Sequence, residues 1–119
     1  MKIFYFDIET VPTDKALHEN GLLDAQIKLD EAELIKKLSL SAVTAKIICL
    51  CYAIEPSVSG TIEVLQGEET DIIKGFWKIV PDCNLFVGHN ILDFDLRFIY
   101  QRSVIHQIKP SRDIPFTRF

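Results

Sequence analysis

Lys2-Ile3-Phe4-Tyr5-Phe6-Asp7-Ile8-Glu9-Thr10 opens the chain with an aromatic and β-branched run that leads straight into two acids. Residues 2–8 read as a strand, and apolar side chains at odd and even positions alike suit a central strand covered on both faces. Strand side chains alternate with a period of two, so Asp7 and Glu9 project from the same face at the strand's end. Two convergent carboxylates suit a hard cation such as Mg2+ or Mn2+ better than zinc or copper. Taken alone, the pair also has a plainer reading, because acids at a strand end are more often solvated or cap a loop.

Downstream, Pro12 is expected to stop the strand, and residues 13–44 read as a helical insertion. Thr13 suits an N-cap, Asn20-Gly21 a break, and Asp30 to Leu38 a helix whose acidic start and basic end match the helix dipole. Lys46 to Ile54 reads as a second buried strand closed by Pro56, and Ser57 to Gly60 turns it into a third, Thr61 to Leu65, forming a hairpin. Behind Glu68, Glu69 and Asp71, the apolar positions Ile72, Ile73, Phe76, Trp77 and Val80 share one helical face, which Pro81 ends. Asn84 to Gly88 makes a short fourth strand. A second amphipathic helix is expected from about Asp93 to Val104, followed by a loose tail over residues 105–119.

The whole, 119 residues that are 48% hydrophobic and 25% charged, suits one ordinary globular domain. Lys and Arg number 13 against 17 Asp and Glu; the net charge of -4 argues against nucleic-acid binding by bulk charge alone, but is compatible with a cation-loaded acidic site. Asp7 and Glu9 come too early for a signal peptide, which points to a cytoplasmic protein. No apolar run approaches the roughly 20 residues of a membrane span. Cys49 and Cys51 share one face of the second strand and read as buried thiols, while Cys83 with His18, His89 and His106 supplies no zinc-ligand spacing.

A second constellation lies at the fourth strand's exit, Gly88-His89-Asn90-Ile91-Leu92-Asp93-Phe94-Asp95. Asp95 falls just inside a helix that begins directly after a strand, where free N–H groups and the helix dipole favour an ionised carboxylate. In α/β sheets, strand ends beside a change in strand order are where ligands usually bind.

Phe6-Asp7-Ile8-Glu9-Thr10 resembles the first motif of the DEDD superfamily of 3′-5′ exonucleases, and the segment Gly88 to Asp95 resembles its second. The similarity is in particular to bacterial exonucleases related to the proofreading domain of family-B DNA polymerases, whose second motif runs Asn, three residues, Phe, Asp; Asn90, Phe94 and Asp95 match that form. The resemblance covers residues 1 to about 104, with 13–44 poorly matched, and it is the pair of motifs in this element order that is specific. It implies an α/β, RNase H-like mixed sheet, three antiparallel strands plus a parallel fourth, with flanking helices. It also implies a site holding two Mg2+ or Mn2+ ions at a 3′-terminal phosphodiester, the substrate being most simply a single-stranded DNA 3′ end. By the same resemblance Asp7 bridges both ions, Glu9 holds the nucleophile-side ion and Asp95 the leaving-group side. Ile8, Thr10, Asn90 and Phe94 are the implied substrate contacts.

Three of these contacts, Thr10 excepted, have a plainer alternative. Ile8 suits the core, Asn90 a local backbone contact, and Phe94 with Phe98 an i, i+4 core pair. Asp93 suits a helix N-cap better than a ligand. The family's third motif, an Asp preceded four residues earlier by Tyr or five earlier by His, has no counterpart here. Asp113 is preceded by Lys109 and Ile108 at those positions and is flanked by Pro110 and Pro115, so it reads as a loop residue. Lys109, Arg112 and Arg118 are candidates for phosphate contacts or for solvated charges. The fold thus reads as truncated before its fifth strand and last helix, and residues 1–119 alone are not expected to be active. Two competing readings stand beside the nuclease: a catalytically silent module that binds nucleic acid or protein, with a homo-oligomer formed through the truncated sheet, and a 3′-5′ exoribonuclease.

Overall fold

The first strand builds the rest of the molecule around itself. In the computed structural model, which describes residues 1–22, 29–57 and 60–114, β1 runs over Ile3–Pro12 at the centre of a four-stranded sheet. Its neighbours are β2, Ala45–Glu55, antiparallel to it, and β4, Leu85–Val87, parallel to it; β3, Glu63–Gln66, completes the order β3-β2-β1-β4. This is the α/β arrangement that the sequence implied, an RNase H-like mixed sheet with one parallel pair and flanking helices. The helices are α1 (Asp14–Glu19), α2 (Leu29–Ser39), α3 (Glu69–Ile79) and α4 (Asp95–Ile105), and a 3-10 turn, Val80–Asp82, leads from α3 towards β4.

Local chemistry accounts for most boundaries. β1 outruns its expected end because Pro12, which needs no donor, occupies the last paired position, opposite Ala45. Thr13 then caps α1, its Oγ1 accepting from the Ala16 N–H at 3.1 Å, and Asn20 with Gly21 (φ +69) closes that helix. The α2 segment matches the helix expected from Asp30 to Leu38. Part of the β2–β3 turn, residues 58 and 59, lies outside the described residues.

Three expectations are corrected. Among the described residues only one face of β1 is covered: Phe4, Phe6 and Ile8 are buried, whereas Asp7 and Glu9 are exposed on the other face. Cys49 and Cys51 are accordingly half-buried on that open face, opposite Glu9 and Asp7, rather than fully buried. The tail is not loose through residue 114. Ser111 donates to the Trp77 carbonyl, Tyr100 donates to the Arg112 carbonyl, and the Ile114 N–H donates to the Tyr100 hydroxyl. Arg112 donates to the carbonyls of Val80 and Cys83 and lies over the Phe86 ring. Residues 115–119, Pro115 and Arg118 included, lie outside the described residues.

The covered face is an aromatic core. Phe76 of α3 meets Phe4 edge-on at 5.8 Å and Trp77 at 4.9 Å, and Phe4 itself touches Phe6, Tyr52 and Phe86. Ile47, Leu50, Ile72, Ile73, Leu96, Phe98 and Ile99 fill the same cluster. A bulge keeps β2 in step with it: Cys49 pairs with Glu9 but Ile47 pairs with Thr10, so Ile48 is the extra residue and stands 41% exposed. Beyond it, Leu50, Tyr52 and Ile54 return to the core face. Phe76→Ala is expected to cost about 3–5 kcal/mol, as truncation of a fully buried aromatic does. Val64→Ala, on the open face, is expected to cost under about 1 kcal/mol; urea unfolding of the two variants checks the difference.

Candidate functional site

The turn between β4 and α4 is wound so tightly that its residues have little choice. β4 pairs with Ile3, Phe4 and Tyr5, then leaves the sheet at Gly88. A Cβ there would lie 2.7 Å from the Phe6 carbonyl oxygen and would overlap the Ile91 side chain, so only glycine fits. Asn90 takes φ +54, the left-handed region that Asn tolerates better than most residues. Backbone bonds from Phe94 to Asn90 (3.1 Å) and from Leu96 to Ile91 (2.9 Å) close the turn, and Arg97 Nε donates to the Leu92 carbonyl. Helix α4 therefore begins at Asp95, with Phe94 as an N-cap that makes no side-chain bond. Asp93, expected as that cap, stands one residue upstream of the N-cap position and is exposed.

The outcome is that Asp95 is carried back against β1. It is 3% exposed, and its Oδ2 accepts from the Ile8 N–H at 3.1 Å, beyond the stretch where β4 pairs with β1. Burial pushes the Asp95 carboxyl up to about 6; the Ile8 N–H and its own backbone N–H oppose the rise, and the negative charges of Asp7 and Glu9 add to it. The three carboxylates singled out in the sequence therefore act on one another. Asp7 and Glu9 come from the open side of the sheet, and Asp95 comes from the buried side.

The remaining residues fall as follows. Ile8 is 5% exposed and belongs to the core. Thr10 directs its hydroxyl to the Ser39 carbonyl at 2.6 Å, tying β1 to the end of α2. Phe94 is half-buried against Phe98, ring centroids 5.3 Å apart, and Asn90 is exposed. Lys109 is exposed, while Arg112 is occupied with carbonyls of the fold rather than held out for a phosphate. Asp113 is exposed in a loop, as its flanking prolines suggest. Two hollows meet at Gly88: an apolar one of about 290 Å³ across the open face, bounded by Tyr5, Asp7, Cys51 and Val87, and a more polar one of about 430 Å³ lined by the turn from Gly88 to Leu92.

One group of residues escaped the sequence reading. Arg102, 6% exposed on α4, donates Nε to both oxygens of Glu69, Nη2 to Oε1 at 2.6 Å, and Nη1 to the Ala42 carbonyl. Glu69 also accepts from the Ile47 N–H at 2.6 Å and pairs with His106 Nε2 at 2.5 Å. Burial alone would raise the Glu69 carboxyl, but Arg102, His106 and the Ile47 N–H outweigh it and hold the acid below its ordinary value. The available signal was Arg102 itself, three residues after Ile99 and four after Phe98, a charge on the apolar stripe of a helix.

Hard carboxylate oxygens are the donors that Mg2+ and Mn2+ prefer, and a bound divalent cation would offset the repulsion that the three acids share. The Ile8 N–H bond to Asp95 is the kind of secondary contact that orients a ligating carboxylate. The donor chemistry therefore fits a hard cation. As they stand, the side chains are not gathered into a finished cage: among the described residues, no group of three or more His, Cys, Asp or Glu side chains is placed to hold a metal ion.

No family model matches the chain, and no curated protein does. Among solved structures it is similar to the family B DNA polymerase of the hyperthermophilic archaeon Pyrobaculum calidifontis, with a TM-score of 0.58 and 18% identity over 91% of this chain. The chain spans 11% of that polymerase's length. At this identity the likeness is one of fold. Among the described residues no helix is long and apolar enough to cross a membrane.

The raised Asp95 acid has a pH signature in metal-free protein. Its folded value, about 6, lies above its ordinary 3.8, so the protonated acid favours the fold. That contribution is whole below about pH 4 and is lost as pH rises through about 6. Ionising Asp95 in this seat costs at most about 3 kcal/mol, at roughly 1.4 kcal/mol per tenfold. Asp95→Asn is therefore expected to be more stable than the wild type at pH 8 in chelator, with the advantage vanishing near pH 4; urea unfolding at the two pH values checks it.

Proposed function

We propose that this chain carries three of the metal ligands, Asp7, Glu9 and Asp95, of a metal-dependent 3′-5′ exonuclease site that hydrolyses phosphodiester bonds at the 3′ end of DNA, the acid of the third motif having no counterpart in residues 1–119. The observation that carries the reading is the seating of Asp95 on the Ile8 N–H, between two exposed acids of the same strand. A buried carboxylate that two neighbouring charges make costlier is the arrangement expected where a cation completes the site. The polymerase-like fold and the paired motifs support the nucleic-acid substrate. When bound, two Mg2+ or Mn2+ ions would lower the pKa of a water and stabilise the leaving oxygen.

The chain's own residues would divide the work by position. Asp7 and Glu9, exposed on the open face of β1, would reach the cations from the solvent side, and Asp95 would hold its place from beneath. The turn from Gly88 to Leu92 and the apolar hollow beside Asp7 would receive the terminal nucleotide, with Asn90 and Phe94 as candidate contacts. With a net charge of -4, attraction for phosphate would come from the bound cations rather than from the protein surface.

One observation favours a second reading, a silent module that binds nucleic acid or protein: the three carboxylates do not form a ready-made cation cage among the described residues. Isothermal titration with Mn2+ separates the two. Binding by the wild-type chain, weakened at least about tenfold by Asp7→Ala, is the expected result; a folded chain that ignores Mn2+ supports the silent module. With 5′-labelled single-stranded DNA, the expected result for residues 1–119 is Mn2+ binding without cleavage; a ladder shortening from the 3′ end, dependent on Mn2+ and lost in Asp95→Ala, would mean that Asp93, Asp113 or a second chain supplies the fourth ligand.

A further inference from the structure

Asp95 and Arg102 lie at the two ends of one short helix, two turns or roughly 10 Å apart. Phe94, the N-cap of α4, makes no side-chain cap bond; Asp95, bonded to the Ile8 N–H, fastens this end to β1. The other end is fastened by Arg102, whose guanidinium forks onto both oxygens of Glu69. Glu69 has a second attachment that a simple helix–helix clamp would not need. Its Oε2 takes the N–H of Ile47, the residue paired with Thr10 across the β2 bulge, directly after the register position of Glu9. A single buried carboxylate thus bonds to the strand that backs Glu9 and to the helix that carries Asp95.

We propose that the Glu69–Arg102 pair is a positioning device for the candidate metal site: it sets the register of α4 against β1 and so fixes where the Asp95 carboxylate stands relative to Glu9. The proposal rests on the nuclease reading for the meaning of that placement, but the placement itself is independent of metal. Stability alone does not require such a pair. Buried ion pairs commonly break even against apolar replacements of similar volume, whereas they fix geometry well, and Arg supplies a planar fork that Lys cannot reproduce. Ser103, the next residue, provides an internal comparison. Its hydroxyl accepts from Trp77 Nε1 at 3.0 Å, joining α4 to α3 but not to β2.

Amide hydrogen exchange in metal-free protein tests the idea, because the Ile8 N–H bond reports the seat of Asp95 directly. In Arg102→Lys, Ile8 protection is expected to fall at least tenfold further than that of the core amides of Leu50 and Phe76. In Ser103→Ala all three are expected to fall together. Parallel losses in Arg102→Lys would overturn the proposal. Should that variant fail to fold, Glu69→Gln, which keeps the shape and removes the charge, is held to the same comparison. Mn2+ titration of the same variants should show binding weakened about tenfold in Arg102→Lys and unchanged in Ser103→Ala. A wild type that binds no Mn2+ would remove the nuclease reading, while the exchange comparison would still decide the positioning role.

Discussion

The hydrogen bond from the Ile8 N–H to Asp95 joins parts of the chain that are 87 residues apart in sequence, and it does so at the point where β4 has stopped pairing with β1. Much of the local structure follows from that closure. Gly88 is glycine because the turn must pass under the Phe6 carbonyl, Asn90 is left-handed because the turn must reverse, and α4 starts at Asp95 because the acid is what holds its first turn. Ile8 meanwhile buries its side chain in the core. The residue that anchors the strand thus also presents the backbone donor that the acid needs, between the two exposed carboxylates.

Two buried carboxylates in one small chain make an instructive contrast. Glu69 is surrounded by a guanidinium, an imidazole and an N–H, and its affinity for a proton is lowered. Asp95 is buried with an N–H donor but faces two further negative charges, and its affinity is raised. The first is electrostatically complete, as a structural ion pair should be. The second is incomplete, and a positive charge from outside the chain is what would complete it. Neither condition follows from burial alone, since both acids are almost fully withdrawn from water; the charges around them make the difference.

The sequence was informative where local rules suffice. Strand alternation placed Asp7 and Glu9 on one face, the Thr13 cap and the Asn20-Gly21 break were where their chemistry required, and the Gly88 to Asp95 segment did prove to be a tight turn into a helix. Long-range compensation was what it concealed. An aromatic run cannot reveal that one of its faces stays open among the described residues, and a bulge such as that at Ile48 appears only once two strands are aligned. Likewise, nothing near Arg102 or Arg112 in sequence names the distant partner groups, Glu69, Val80 and Cys83, that turn surface-type residues into internal fasteners.

The central claim, that Asp7, Glu9 and Asp95 form one cation site, is open to direct observation by paramagnetic broadening. Substoichiometric Mn2+ added to isotope-labelled protein should broaden the backbone amides of residues 7–9 and 94–96 together, before those near any other acid. Broadening centred instead on other surface acids such as Glu55 or Glu63, or on β1 without the start of α4, would contradict it.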